Sequence, residues 1–364
     1  MRGWALLVAV AVAGKPIPPP DPTKKLPVYK IDLDAPAIER WTKPVYDRRG
    51  ELKLMLGLLK DLFPKNTTKT IIDSLQPPED FAEEMQGIAN TLGVDYDDVV
   101  MGNMYYEISS LTGVLGWLNK SCTSIVAENI NGSVYLARNQ DYPPPFSVLL
   151  YNAQVYKGGK MLYQGTAFAG VIGVATALAP GGWAVSIDAR NSYSPTLEQA
   201  LEVARAGGAV FPWITRQALE APEVTTSFEA AVQYFATKPM ILPGYLIIAG
   251  ARPGEGAVVT TNSSADHNDV WRLKDGFGGG WYLAETNYDH WVPAPLDDDR
   301  RWFVKHRMDQ IGTGKVGLMD LWDVLSQGPV YNLATIHTEL VEPATGDYQT
   351  YLRHNIIEEQ AVVV

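Results

Sequence analysis

Cys122 is the only cysteine in a chain of 364 residues, and it heads the apolar run Cys122-Thr-Ser-Ile-Val-Ala-Glu128. A thiol is strongly nucleophilic only as its thiolate, so it needs a base and a stabilising charge close by. Two residues able to supply charge follow in Arg138-Asn-Gln-Asp-Tyr142. The stretch between, Asn129-Ile-Asn-Gly132, has the composition of a hairpin turn. A hairpin sets the end of its second strand beside the start of its first, which puts Arg138 and Asp141 at the thiol. Each residue also has a plainer reading. A lone cysteine is commonly a small buried hydrophobe, and Arg with Asp at a strand end is commonly a surface ion pair of little value. A Cys–His dyad would draw on one of five histidines, His267, His290, His306, His337 or His354, and none lies in the local context of a cysteine-protease motif.

The first residues bear on which reading applies. Met1-Arg2, the apolar run Trp4 to Val12 and the Ala11-Val12-Ala13 site read as a signal peptide over 1–13, too short to span a bilayer. The expected location is lysosomal or secreted, where cysteines normally pair, and a leftover one implies an intermolecular bridge or a reactive thiol. Sequons at Asn66, Asn119, Asn131 and Asn262 are glycosylation candidates in keeping with that route. A net charge of -11 argues against a nucleic-acid partner and suits an acidic compartment. With 46% hydrophobic residues the chain can fill a large core. No cofactor and no metal are expected.

The elements that must position these residues change character near Cys122. After a Pro-rich leader, the sequence up to about residue 110 reads as helical: Glu51 to Phe63 sets Leu52, Met55, Leu56, Leu59 and Phe63 on one stripe, and Pro78 with the acids after it resembles a helix start. From Thr123 onward strands dominate, at Thr123–Glu128, Ser133–Asn139, Val148–Val155, Trp183–Asp188, Tyr245–Ala249, Ala257–Thr261, Trp281–Glu285, Ala334–Val341 and Tyr348–Leu352. Helices at 196–205, 213–219, 226–237, 301–310 and 318–325 separate them. Grouped strands and grouped helices predict an α+β fold, two layers of mostly antiparallel sheet covered by helices.

Five strings, Cys122-Thr-Ser-Ile-Val-Ala-Glu, Ala137-Arg-Asn-Gln-Asp-Tyr, Glu285-Thr-Asn-Tyr-Asp-His-Trp, Asp298-Asp-Arg-Arg301 and Pro329-Val-Tyr-Asn332, resemble in kind and order the acid ceramidase and N-acylethanolamine acid amidase family of N-terminal-nucleophile hydrolases. The resemblance runs from about residue 27 to 354. It implies an αββα sandwich with an N-terminal helical subunit. It further implies that the thiol attacks the Ser121 carbonyl, so that hydrolysis leaves a helical chain of 14–121 and a catalytic chain of 122–364 beginning at Cys122 and remaining associated with it. The freed α-amine then serves as base. Its ordinary pKa of about 7.7 to 8.0 must be depressed for work in acid, a task for the charge of Arg138, with Asp141 orienting the amine. The resemblance points to Asn287 as oxyanion donor and to Arg300 near the scissile bond. Ala189 stands where the family has a glutamate, leaving Asp188 as an auxiliary polar residue. The implied substrates are lipid amides, fatty-acid ethanolamides first and ceramide second. The apolar stripe from Leu52 to Phe63, with Val114, Leu115, Trp117 and Leu118, either forms an edge that touches a membrane or micelle or packs on the catalytic chain. A lipid-binding relative without catalysis is the alternative that Ala189 keeps open.

Overall fold

The computed structural model describes residues 25–114, 122–264, 266, 268–296 and 298–353. The expected leader at 1–13, Leu115, Trp117, Leu118, Asn119, Ser121, His267 and His354 lie outside the described residues. In chain order the strands are β1 (Val28–Asp32), β2 (Thr123–Glu128), β3 (Val134–Asp141), β4 (Leu150–Lys157), β5 (Lys160–Phe168), β6 (Thr176–Leu178), β7 (Trp183–Ala189), β8 (Gly244–Gly250), β9 (Gly256–Thr260), β10 (Asp269–Arg272), β11 (Tyr282–Glu285), β12 (Thr335–Glu342) and β13 (Asp347–Leu352). They form an eight-stranded sheet, β1-β4-β5-β6-β7-β8-β9-β10, and a five-stranded sheet, β11-β2-β3-β12-β13. All neighbours are antiparallel except β1 and β4, which run parallel.

The N-terminal helices are α1 (Thr42–Asp47), α2 (Arg49–Leu62), α3 (Lys65–Asp73), α4 (Glu79–Leu92), α5 (Tyr96–Asn103) and α6 (Tyr105–Thr112). Later come α7 (Leu197–Arg205), α8 (Phe211–Glu220), α9 (Pro222–Thr225), α10 (Phe228–Ala236), α11 (Arg300–Ile311) and α12 (Leu318–Leu325). Three apolar cores define the layers. Val126, Leu136, Ala184, Ile247 and Val258 fill the space between the sheets. The outer face of the large sheet, with Val155, Val185 and Ile248, packs on the N-terminal helices and α7 to α10. The outer face of the small sheet, with Ile125, Ala137 and Leu340, packs under α11 and α12. The result is the αββα sandwich expected, and burial on both faces explains why β2 and β3 read as near-continuous buried runs without polar alternation.

The stripe Leu52, Met55, Leu56 and Leu59 of α2 is buried as the helical period requires. Its outer side is apolar too: Leu54, Leu58 and Leu62, spaced four apart, are 67%, 45% and 49% exposed. Helix α4 starts after Pro78 with Glu79 and Asp80 in its first turn and stops at Gly93 in a left-handed conformation. One element of the N-terminal segment was not expected. β1 adds a strand to the edge of the large sheet, so this segment is not purely helical. Its five residues, like the three of β6 and the four of β10, carry too little alternation to stand out beside a Pro-rich stretch.

Candidate active site

Cys122 precedes β2, and the β2–β3 hairpin pairs Ser124 with Arg138 and Thr123 with Asn139. Side chains alternate across a strand, so Cys122 and Ser124 share a face with Leu136 and Arg138, toward the large sheet. Arg138 is 1% exposed and spends its fork on five contacts. Nη2 lies 3.5 Å from the Cys122 sulfur and 2.6 Å from the Ile187 carbonyl oxygen. Nε donates to Asp188 Oδ1 at 3.1 Å, and Nη1 donates to Gln140 Oε1 at 2.7 Å and Thr176 Oγ1 at 2.9 Å. Asp188, at the end of β7, thus holds the guanidinium from the opposite sheet. Its strand neighbour Ala189 points the other way, toward the helices, so Asp188 does not fill the space beside Ala189.

Asp141 ends β3. Its backbone N–H faces the sulfur, and its carboxylate accepts from Asn332 Nδ2 at 2.5 Å, while Oδ1 has no hydrogen-bond partner among the described residues. On the other side of Cys122, Arg300 opens α11 and donates from Nη1 to the Cys122 carbonyl oxygen at 2.6 Å. Its Nη2 donates to Asn287 Oδ1 at 3.0 Å, and Asp298 anchors the same guanidinium at 2.6 Å. Asn287 in turn donates from Nδ2 to the Ala189 carbonyl oxygen at 2.8 Å. These two bonds fix the amide orientation and leave one Nδ2 hydrogen unspent. Cys122, Arg138, Asp141, Asp188, Asn287 and Arg300 are therefore brought together. Among the described residues, Arg300 grips the carbonyl oxygen of Cys122 itself.

Burial dominates the electrostatics. It pushes the Cys122 thiol up to about 11, against the lowering pull of Arg138, with Asp188 and Asp141 adding to the rise. Asp141 is raised to about 7 by burial, opposed by its Thr335 hydrogen bond and by Arg300, and Asp188 to about 6 by burial, opposed by Arg138. In the intact chain Cys122 is thus a neutral thiol, and a proton acceptor must act before it can attack.

One space is lined by the thiol and another by the residues that hold its backbone. A polar cleft of about 490 Å³, open to solvent, is lined by Asn287, Arg300, Asp298, Tyr288, Ser192 and Asn332. A largely apolar chamber of about 80 Å³ is lined by Cys122, Arg138 and Asp141, by Ala189, Ile187 and Phe211, and by Tyr105, Tyr142 and Phe168, the three aromatics it shares with a further chamber. Beyond those three aromatics lies a second, apolar chamber of about 40 Å³, walled by Leu52, Met55, Leu56 and Leu59 of α2 with Ile88, Val99 and Phe146. Gly102 borders both, and a Cβ there would come within 2.9 Å of Leu56 Cδ2.

Several residues at the site are not singled out from the sequence. Asn332, which holds Asp141, ends the string Pro329-Val-Tyr-Asn332 but is given no role of its own there. Arg190 makes a bidentate pair with Asp289 at 2.7 and 2.9 Å, tying the end of β7 to the loop of Asn287. His337 pairs with Glu339, opposite Arg138 on β12, and plays no part at the thiol. His290 stacks on Trp271 and His306 on Trp302. Among the sequons, Asn66 and Asn131 are exposed, whereas Asn262 accepts from Arg190 at 2.7 Å. Among the described residues no group of His, Cys, Asp and Glu could hold a metal ion, and no helix is long and apolar enough to cross a membrane.

No family model matches the chain. Over 341 residues it is 35% identical to the N-acylethanolamine-hydrolyzing acid amidase of Oryctolagus cuniculus, an alignment that covers 90% of each. To the acid ceramidase of Pan troglodytes it is 29% identical over 365 residues, covering 92% of this chain and 89% of the relative. Among solved structures, the Caenorhabditis elegans N-acylethanolamine-hydrolyzing acid amidase ortholog superposes with a TM-score of 0.57 at 28% identity, covering 64% of this chain and all of that one. With the layered sandwich and full-length likeness in agreement, the chain belongs to the family of the N-acylethanolamine-hydrolyzing acid amidases and the acid ceramidases.

Proposed function

We propose that the protein hydrolyses fatty-acid ethanolamides to fatty acid and ethanolamine through Cys122, made N-terminal by its own chemistry. The observation that carries this reading is that Cys122 lines a largely apolar space, fit for an acyl chain, while Arg300, which holds its carbonyl oxygen, and Asn287 line a polar cleft, fit for a head group. The greater identity to the amidase than to the ceramidase favours ethanolamides over ceramide.

Maturation begins with attack of the sulfur on the Ser121 carbonyl. The carbon–nitrogen bond to Cys122 breaks, a thioester forms, and the nitrogen takes up the thiol proton. Water then cleaves the thioester, leaving a carboxylate on Ser121 and an amine on Cys122. In turnover that amine accepts the thiol proton as sulfur attacks the amide carbonyl. The oxyanion is met by the unspent hydrogen of Asn287 Nδ2. The proton passes to the departing ethanolamine nitrogen, and water hydrolyses the acyl thioester. Arg138 supplies positive charge at the sulfur, Asp188 holds Arg138, and Asp141, steadied by Asn332, orients the amine. Arg300 keeps Asn287 and the first peptide of β2 in register.

The working place is an acidic compartment of the secretory pathway, in keeping with the leader and sequons read above. The outer leucines of α2, on the helix whose inner face walls the second chamber, suit contact with a membrane or micelle that carries the substrate. The test is to incubate the secreted protein at acid pH, then follow chain masses and fatty-acid release from a palmitoyl ethanolamide. A new chain beginning at Cys122, absent in Cys122→Ala, together with release, is expected. Persistence of the full-length chain with lipid binding but no release would replace the enzyme by a lipid-binding protein.

A further inference from the structure

The wall between the two chambers holds a group that an apolar tunnel does not need. Tyr105, the first residue of α6, lines both chambers and is 4% exposed, yet its hydroxyl has no hydrogen-bond partner among the described residues. A buried hydroxyl left unpaired is costly, of order 1–3 kcal/mol, and such groups normally find a protein or water partner. Phenylalanine would fill the same space without that cost. Tyr142 stands against it, with ring centroids 5.2 Å apart, and Phe146 and Phe168 complete the cluster at 5.1 Å from Tyr105 and 5.5 Å from Tyr142. The rest of the second chamber is aliphatic or aromatic.

We propose that Tyr105, with Tyr142 beside it, is a specificity-determining hydrogen-bond site for an oxygen carried part-way along the acyl chain, so that mid-chain hydroxylated fatty amides are preferred over their plain counterparts. This deepens the reading of Cys122 as an acyl-amide nucleophile and rests on it for turnover, but not for binding. The acyl carbonyl sits at the thiol end of the first chamber, so the neck meets the interior of the chain and leaves the head group to the cleft. At 80 and 40 Å³ the two voids admit a long chain only when the neck rings move aside. A chain oxygen that bonds to Tyr105 compensates for that opening, whereas a bare methylene leaves the hydroxyl orphaned.

Acid-treated wild-type protein and Tyr105→Phe are titrated calorimetrically with stearic acid and with its mid-chain monohydroxy isomers, and kcat/KM is measured for the matching ethanolamides. At least one hydroxy isomer is expected to bind wild type about 3–10-fold more tightly than stearic acid, the worth of one neutral hydrogen bond. In Tyr105→Phe that preference should collapse toward unity, and the ratio of kcat/KM values should follow it. Equal affinity of wild type for every isomer and the plain acid, or a preference that survives in Tyr105→Phe, overturns the proposal and assigns the phenol to an internal water. If the binding preference appears without hydrolysis of any ethanolamide, this site stands and the amidase reading falls. Hydrolysis without any preference gives the reverse.

Discussion

Asn287 shows how little freedom the site leaves its parts. Its oxygen is occupied by Arg300 and one amide hydrogen by the Ala189 carbonyl, so the second hydrogen is aimed by bonds that exist before substrate arrives. Such preorganisation is what an oxyanion donor requires. Asn287→Ala should therefore mature more slowly and, once mature, lose about 10²–10³ in kcat, the usual cost of one such donor. KM should change much less. Burst and steady-state rates on processed material check this, and a loss below about tenfold would return Asn287 to a loop-fastening role. At the sulfur the balance is different. Arg138 pulls the thiol pKa down but does not overcome burial, and the amine that the proposed cleavage would free at Cys122 is the base this balance calls for.

At the scale of elements, one buried network joins the N-terminal helices to α8. Glu84 of α4 receives Arg216 of α8 through both of its oxygens, Arg40 at 2.8 Å and the indole of Trp41 at 2.6 Å, with Glu84, Arg216 and Trp41 buried and Arg40 partly exposed. Breaking a buried pair by removing one partner leaves the other charge unmatched, at about 3–5 kcal/mol. Glu84→Ala should lower the thermal midpoint sharply and loosen the N-terminal segment, with Arg216→Met/Glu84→Leu recovering much of the loss. A double variant as unstable as the single one would place the cost in packing. The elements themselves were legible where local chemistry is strong. The Asn-Gly turn made the β2–β3 hairpin, and with it the meeting of Arg138 and Cys122, readable from spacing alone. The α2 stripe was readable from its period. Contacts that close over long separations were not: Asp188 reaching Arg138, Asn332 reaching Asp141 and Arg300 reaching Cys122 depend on how two sheets and a helix stack. Asn287 and Arg300 stood out only through the family resemblance, and β1, β6 and β10 are too short to carry a pattern.

Across the whole molecule, four buried carboxyls lean toward the proton. Burial raises Asp188 to about 6, Asp141 and Glu107 to about 7 and Glu285 to about 8, with unpaired oxygens on each. Unfolded Asp and Glu titrate near 3.9 and 4.3, so between these values and pH 8 the folded chain binds more protons than the unfolded one. That part of the stability is fully present below about pH 4 and is lost progressively as pH rises from there through the folded values to about 8. Glu84 works in the opposite sense, since its arginine partners hold it below the usual range and its contribution fades as pH falls. The thermal midpoint should stand higher at pH 5 than at pH 8. Equal midpoints would mean that folding takes up no protons in this range.

The parallel pairing of β1 with β4 joins the N-terminal segment to the catalytic sheet by main-chain bonds, and Glu84 with Arg216 joins them again by charge. In the maturation proposed above, these partners find each other within one molecule before cleavage at Ser121, at an effective concentration on the order of millimolar. After cleavage the same contacts must form between two separate chains. Maturation therefore changes the molecularity of refolding while leaving the fold as it was. Denatured Cys122→Ala should recover its fold with a yield independent of dilution, whereas denatured mature enzyme should recover less as it is diluted. The lifetime of the active form is then a dissociation rate, set once when the precursor folds and not renewed afterwards.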